Sequence, residues 1–169
     1  VPVAPVVEIA VAAPERSETF SATLARLDAE LGGLERRLET RAGDAFLLNL
    51  QAGALMQRAR LTGSYDDYAR AEAAVDSAFD ASPEGAGPFL TRASLNYSLH
   101  RLDRVEPDLA RAESAVIVGD DTRAAILGRR AGLWLQRGLA GGAEAFYRQA
   151  LDLHSTPGLL SALAIAQSR

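Results

Sequence analysis

Three alanines constrain this chain more than any other feature: Ala78, Ala112 and Ala150 recur 34 (112 − 78) and 38 (150 − 112) residues apart. That interval is what two antiparallel helices and their turns occupy. Such a pair cannot bury its apolar sides alone, so consecutive pairs must stack. The flanking positions repeat as well. The second helix of each pair reads Ala71-x3-Val75-x2-Ala78, then Val105-x3-Leu109-x2-Ala112, then Ala143-x3-Tyr147-x2-Ala150. The first helix reads Leu48-x3-Ala52-x2-Leu55, then Phe89-x3-Ala93-x2-Asn96, then Leu127-x3-Ala131-x2-Trp134. Methyl side chains at these points let helix axes approach to the short end of their packing range, and the larger neighbour fills the remaining gap.

Punctuation divides the chain accordingly. Phe20, Leu24, Leu27, Leu31, Leu34 and Leu38 alternate steps of four and three and form a narrow stripe on one helix, where Gly32 and Gly33 predict a bend or a junction of two shorter helices. A second helix is expected from about Asp44 to Gly63, and a third from about Asp67 to Asp80, closed by Ser82 and Pro83. "FLTRASLNYSLH" predicts a further helix, and Asp103 three residues before Glu106 resembles a capping box. A helix over about Arg123 to Arg137, a turn at "GLAGG", the helix "AEAFYRQALDLH" and a last helix capped by Thr156 and begun by Pro157 complete the chain. No strand pattern occurs.

With these motifs the chain resembles a tetratricopeptide repeat protein. The resemblance covers three repeats over roughly Gly43 to Leu153, with an N-terminal helix before them and a capping or partial helix after. It implies an all-α fold, an α-solenoid of antiparallel helix pairs. The middle repeat departs from the family pattern with Val105 for alanine, Ile117 where a proline falls and Asn96 at an apolar site. The first repeat is longer: its small-to-small spacing is 26 residues (78 − 52) against 19 (112 − 93, 150 − 131) in the others, which places an extension of about one turn per helix at "RLTGSYDD".

Composition narrows the function classes. A formal charge of −4, with all 18 basic residues arginine and spread among 22 acids, lacks the clustered basic face that nucleic acid needs. No cysteine is present, so neither a disulfide framework nor a thiolate metal site is available. Residues 1–16 read as an extended Pro-rich linker ahead of a single helical-repeat domain over 17–169; Pro2, Pro5 and Pro14 exclude a membrane helix there. Signal cleavage or an arbitrary cut would each leave such a start, and an exported or periplasmic location is favoured over a cytoplasmic one.

No constellation for chemistry emerges. His100 and His154 fall in no metal or nucleophile motif and read as helix C-terminal residues, while "YDD" at 65–67 and "GDD" at 119–121 lack calcium-loop spacing and read as N-caps. Glu72, Asp76 and Asp80 read as a solvated face. The expectation is therefore no enzyme, no metal and no cofactor.

The tetratricopeptide resemblance assigns binding to the concave side, formed by the first helix of each pair. The matching positions are Asn49, Gly53, Met56 and Gln57; Leu90, Ser94, Tyr97 and Ser98; and Gly128, Gly132, Leu135 and Gln136, with Arg129 as the one basic candidate beside them. Amides at Asn49, Gln57 and Gln136 would meet the backbone of an extended peptide, and Met56, Tyr97 and Leu135 its side chains. The basic and asparagine clamp of co-chaperone members is absent. The expected function is a scaffold or adaptor for a protein or peptide partner, without membrane insertion. The alternative is self-association, as a homodimer for example, through the Phe20 to Leu38 stripe or the C-terminal helix.

Overall fold

A computed structural model describes residues 19–115 and 118–168; the Pro-rich stretch 1–16 and Ile117 lie outside them. The fold is all-α. Among the described residues there are eight helices and no strand: α1 (Phe20–Thr40), α2 (Ala45–Thr62), α3 (Tyr65–Asp80), α4 (Phe89–Ser98), α5 (Val105–Glu113), α6 (Asp120–Gln136), α7 (Ala140–Leu153) and α8 (Pro157–Gln167).

Local chemistry sets the ends. The Asp44 carboxylate accepts from the Leu47 N–H at 3.1 Å, Ser64 Oγ from Asp67 at 3.2 Å and Thr156 Oγ1 from Leu159 at 3.2 Å, each satisfying a donor that a helix start leaves open. Gly63 stops α2 in the left-handed region at φ 74°, where a side chain would be strained, and its N–H donates to the Ala59 carbonyl at 2.8 Å.

Several expectations are corrected. Gly32 and Gly33 do not interrupt α1, which runs through as one helix of 21 residues. The capping box at Asp103 does not form: α5 starts at Val105 without a side-chain cap, and the Glu106 carboxylate is engaged by Arg130. The caps at 64 and 119 are Ser64 and Gly119, so Asp66, Asp67, Asp120 and Asp121 are first-turn acids that favour the positive helix start. "GLAGG" turns only as far as Leu139; Gly141 and Gly142 lie inside α7. A Cβ at Gly142 would sit 2.1 Å from the Trp134 ring, so the indole occupies the space a side chain would need.

The alanines that define the recurrence are the contact points. Ala52, Ala71, Ala78, Ala93, Ala131, Ala143 and Ala150 are all fully buried, and Ala112 is half-buried. Leu27, Leu31 and Leu34 of the α1 stripe are buried too, Leu31 and Leu34 against Leu47, Leu55 and their neighbours. Each such leucine stabilises the fold by about 1.5–3 kcal/mol. The stripe is therefore used within the chain from Leu27 on, which leaves Phe20 exposed at its start. The extra length of the first repeat lies where the spacing placed it: α2 runs nearly three turns past Ala52, whereas α4 and α6 stop about one and a half turns past Ala93 and Ala131.

Backbone contacts follow a rule. Every helix packs on its neighbours in the chain, and α2, α4, α6 and α8 also pack on one another in that order; α3, α5 and α7 have no such contacts among themselves. The even-numbered helices thus form a continuous row.

Guanidinium–carboxylate pairs tie the helices together. Arg58 on α2 bridges Asp28 on α1 (2.8 Å) and Asp67 on α3 (2.5 Å), the latter carboxylate 3% exposed. Arg92 on α4 holds the buried Asp108 of α5 at 2.7 Å, and the Asn96 amide donates to the same carboxylate at 3.3 Å, which explains a polar residue at an otherwise apolar repeat position. The Arg92 guanidinium also lies 4.0 Å over the Phe79 ring, which meets Phe89 edge-on. Arg130 on α6 takes Glu106 at 2.9 Å and Glu113 at 3.1 Å from α5. Glu72 on α3 is partly exposed and pairs with Arg101, while Asp76 and Asp80 are exposed, so the face read as solvated carries one clasp. The Arg101 hydrogen bond holds the Glu72 carboxyl below the usual carboxylate range.

Candidate functional site

Residues from three successive even helices meet around one open hollow of about 420 Å³. Arg60 comes from the last turn of α2, Tyr97 and Ser98 from the end of α4, Arg129 and Gln136 from α6; Tyr68 of α3 and His100 complete the lining. The α4 and α6 members share this place because they lie near the buried alanines, Ala93 and Ala131, of two helices that pack on each other. Tyr97 fits closely over α6: a Cβ at Gly132 would lie 3.0 Å from the Tyr97 hydroxyl. Gly132 is therefore the seat of the phenol.

Of the expected groove residues, Tyr97, Ser98, Arg129 and Gln136 are brought together here. Asn49 and Leu90 line a second hollow, of about 670 Å³, where the Thr91 hydroxyl donates to Asn49 Oδ1 at 2.6 Å. Ser94 lends its carbonyl to the Ser98 hydroxyl at 3.0 Å. Gly128 lines a third hollow, which Arg129 also borders, with Asp121, Tyr147 and His154. Leu135 is half-buried against the Ala131 and Tyr147 cluster, while Gly53 and Gln57 line none of these hollows.

Met56 is a correction. It is 3% exposed and belongs to the core with Leu55 and Leu95, so it cannot receive a ligand side chain. The reason is local: α2 is packed on by α1, α3 and α4, and Met56 lies in the cluster they share, with Leu31, Ala74 and Leu95.

The electrostatics centre on Arg129. Five arginines are half-buried among the described residues: Arg58, Arg92, Arg101, Arg129 and Arg130. Four hold carboxylates. Arg129 is the exception: its guanidinium lies 5.0 Å from the Tyr97 ring centre, and its Nε is shielded from solvent without a hydrogen-bond partner. Burial lowers its pKa from the usual guanidinium value, and nearby Arg60 lowers it further, against the opposing influence of Tyr97 and Tyr147. Burial likewise raises the Tyr147 phenol.

The tetratricopeptide resemblance marked Tyr97 and Gln136 but not Arg60, Tyr68 and His100. Arg60 lies in the extension of α2 beyond the repeat pattern, and His100 follows α4 in the left-handed region at φ 56°. His154 does close α7, and its Nδ1 lies 2.9 Å from Asp121 Oδ1. Among the described residues no group of three or more His, Asp or Glu side chains could hold a metal ion, and no helix is long and apolar enough to cross a membrane. No protein-family model, curated protein or solved structure matches the chain.

Proposed function

We propose that this chain is a non-catalytic scaffold or adaptor that binds a protein or peptide segment along its even-numbered helices, as a tetratricopeptide-like α-solenoid of antiparallel pairs would. The observation that carries the reading is the asymmetry of helix contacts. The even helices pack on one another and the outer ones do not, which is what a curved stack with one continuous inner side requires. Tyr97, Ser98 and Gln136 on that side supply an aromatic face and amide and hydroxyl groups suited to an extended backbone. Selection of a displayed peptide library against the chain tests it. Tyr97→Ala and Gln136→Ala should each weaken the selected peptides severalfold, and peptides that bind both variants like the parent would refute the groove.

A second reading is favoured by α8, whose Leu160 and Ile165 are 53% and 51% exposed. A capping helix with a polar outer side would not show these. The occupant under this reading is a second copy of the chain, and Ile165→Glu should then abolish any concentration-dependent dimer in sedimentation.

A further inference from the structure

Among the described residues four of the five half-buried guanidinium groups hold a carboxylate, and one, that of Arg129, does not. The hollow beside it is lined by Arg60 and Arg129, the His100 imidazole, the Tyr68, Tyr97 and Ser98 hydroxyls and the Gln136 amide, and no Asp or Glu contributes to it. In a chain with 22 acids, this lining combines two arginines with neutral polar groups and contains no acid. Arg129 Nε is a donor held out of water with nothing to donate to, an arrangement that costs stability in the absence of an acceptor. Arg60 faces the same space and adds repulsion, which an anion between the two would relieve.

We propose that this hollow is an anion subsite that receives a carboxylate of an acidic peptide, the Arg60 and Arg129 guanidinium groups donating to it while Tyr97 stacks on Arg129. The inference rests on the peptide-binding reading above and specifies the ligand's chemistry. A peptide fits better than a small anion because the lining spans α2, α4 and α6. Three adjacent helices set about 8–10 Å apart cover a distance that an extended chain crosses in about six residues. Guanidinium groups suit carboxylates through paired donors, and the low exposure of Arg129 limits screening by salt.

The test uses the whole chain and four probes: hexaglutamate with a free C-terminus, hexaglutamate amide, hexaglutamine and inorganic phosphate. Both hexaglutamates should bind at least tenfold more tightly than hexaglutamine in calorimetry. Equal affinity of the free and amidated forms identifies a side-chain carboxylate as the ligand, and loss on amidation identifies the chain terminus. Arg60→Gln should weaken hexaglutamate severalfold. Arg129→Met should abolish the preference for glutamate while leaving the melting temperature unchanged or higher. Hexaglutamate binding no tighter than hexaglutamine, phosphate binding as tightly as hexaglutamate, or full affinity in both variants would overturn the subsite. Neutral library peptides that depend on Tyr97 and Gln136 would leave the groove standing while the subsite falls, and loss of all peptide binding would remove both.

Discussion

Arg129 and Arg130 are consecutive residues on one helix in opposite situations. Arg130 turns toward α5 and is answered by two carboxylates, Glu106 and Glu113. Arg129 turns toward α4, lies against a phenol and has no acid within reach. A step of about 100° around a helix separates a clasp between two helices from a guanidinium beside an open hollow. Arg130, like Arg58 and Arg92 on the other even helices, joins neighbouring helices through a carboxylate, whereas Arg129 on the same row is left without one.

Substitutions can break or sharpen that contrast. The largest effect is expected at Asp108, whose side chain is 7% exposed: Asp108→Ala strips Arg92 and Asn96 of their acceptor and should cost about 2–3 kcal/mol in urea unfolding, the half-exposed Arg92 moderating the loss. Next come the neighbours themselves. Arg130→Met should destabilise by about 1 kcal/mol, because Glu106 and Glu113 are partly exposed and lose one partner, whereas Arg129→Met should stabilise by about 0.5–1 kcal/mol by replacing an unpaired, shielded cation with an apolar chain. Opposite signs from adjacent positions would sharpen the distinction, and equal losses would erase it.

The smallest effect concerns Glu72. Its folded-state pKa lies below the ordinary 4.5, because Arg101 donates to the charged form. Its contribution is therefore fully present above that ordinary value and is lost as pH falls through the depressed folded value. Glu72→Gln should flatten the stability profile below about pH 4.5 by a few tenths of a kcal/mol, given the exposure of both partners.

The helices and their contact points were legible because the alanine recurrence is a packing signal: Ala52, Ala93 and Ala131, marked by spacing, are fully buried. Where reading failed, local rules met tertiary ones. Asp103 and Glu106 have capping-box spacing, but Glu106 finds a guanidinium 24 residues away instead. Gly32 and Gly33 look like a break, yet α1 continues through them. The candidate site was half legible. Tyr97 and Gln136 sit on pattern, while Arg60 and His100 arise where helices run on or stop, and periodicity carries no information past a helix end. Nor does spacing reveal which of two adjacent arginines will meet an acid.

The row of even helices has a mechanical corollary. Since α3, α5 and α7 share no close backbone approach, spreading or closing them would rearrange clasps and solvent, while sliding the even helices apart would break the row of packed backbones. Stiffness is therefore directional, as in a hinge with its pin on one side. The separation of Arg60 on α2 from Arg129 on α6 is the dimension that such flexing would retune, so under the proposed anion subsite the hold on a carboxylate would vary with it.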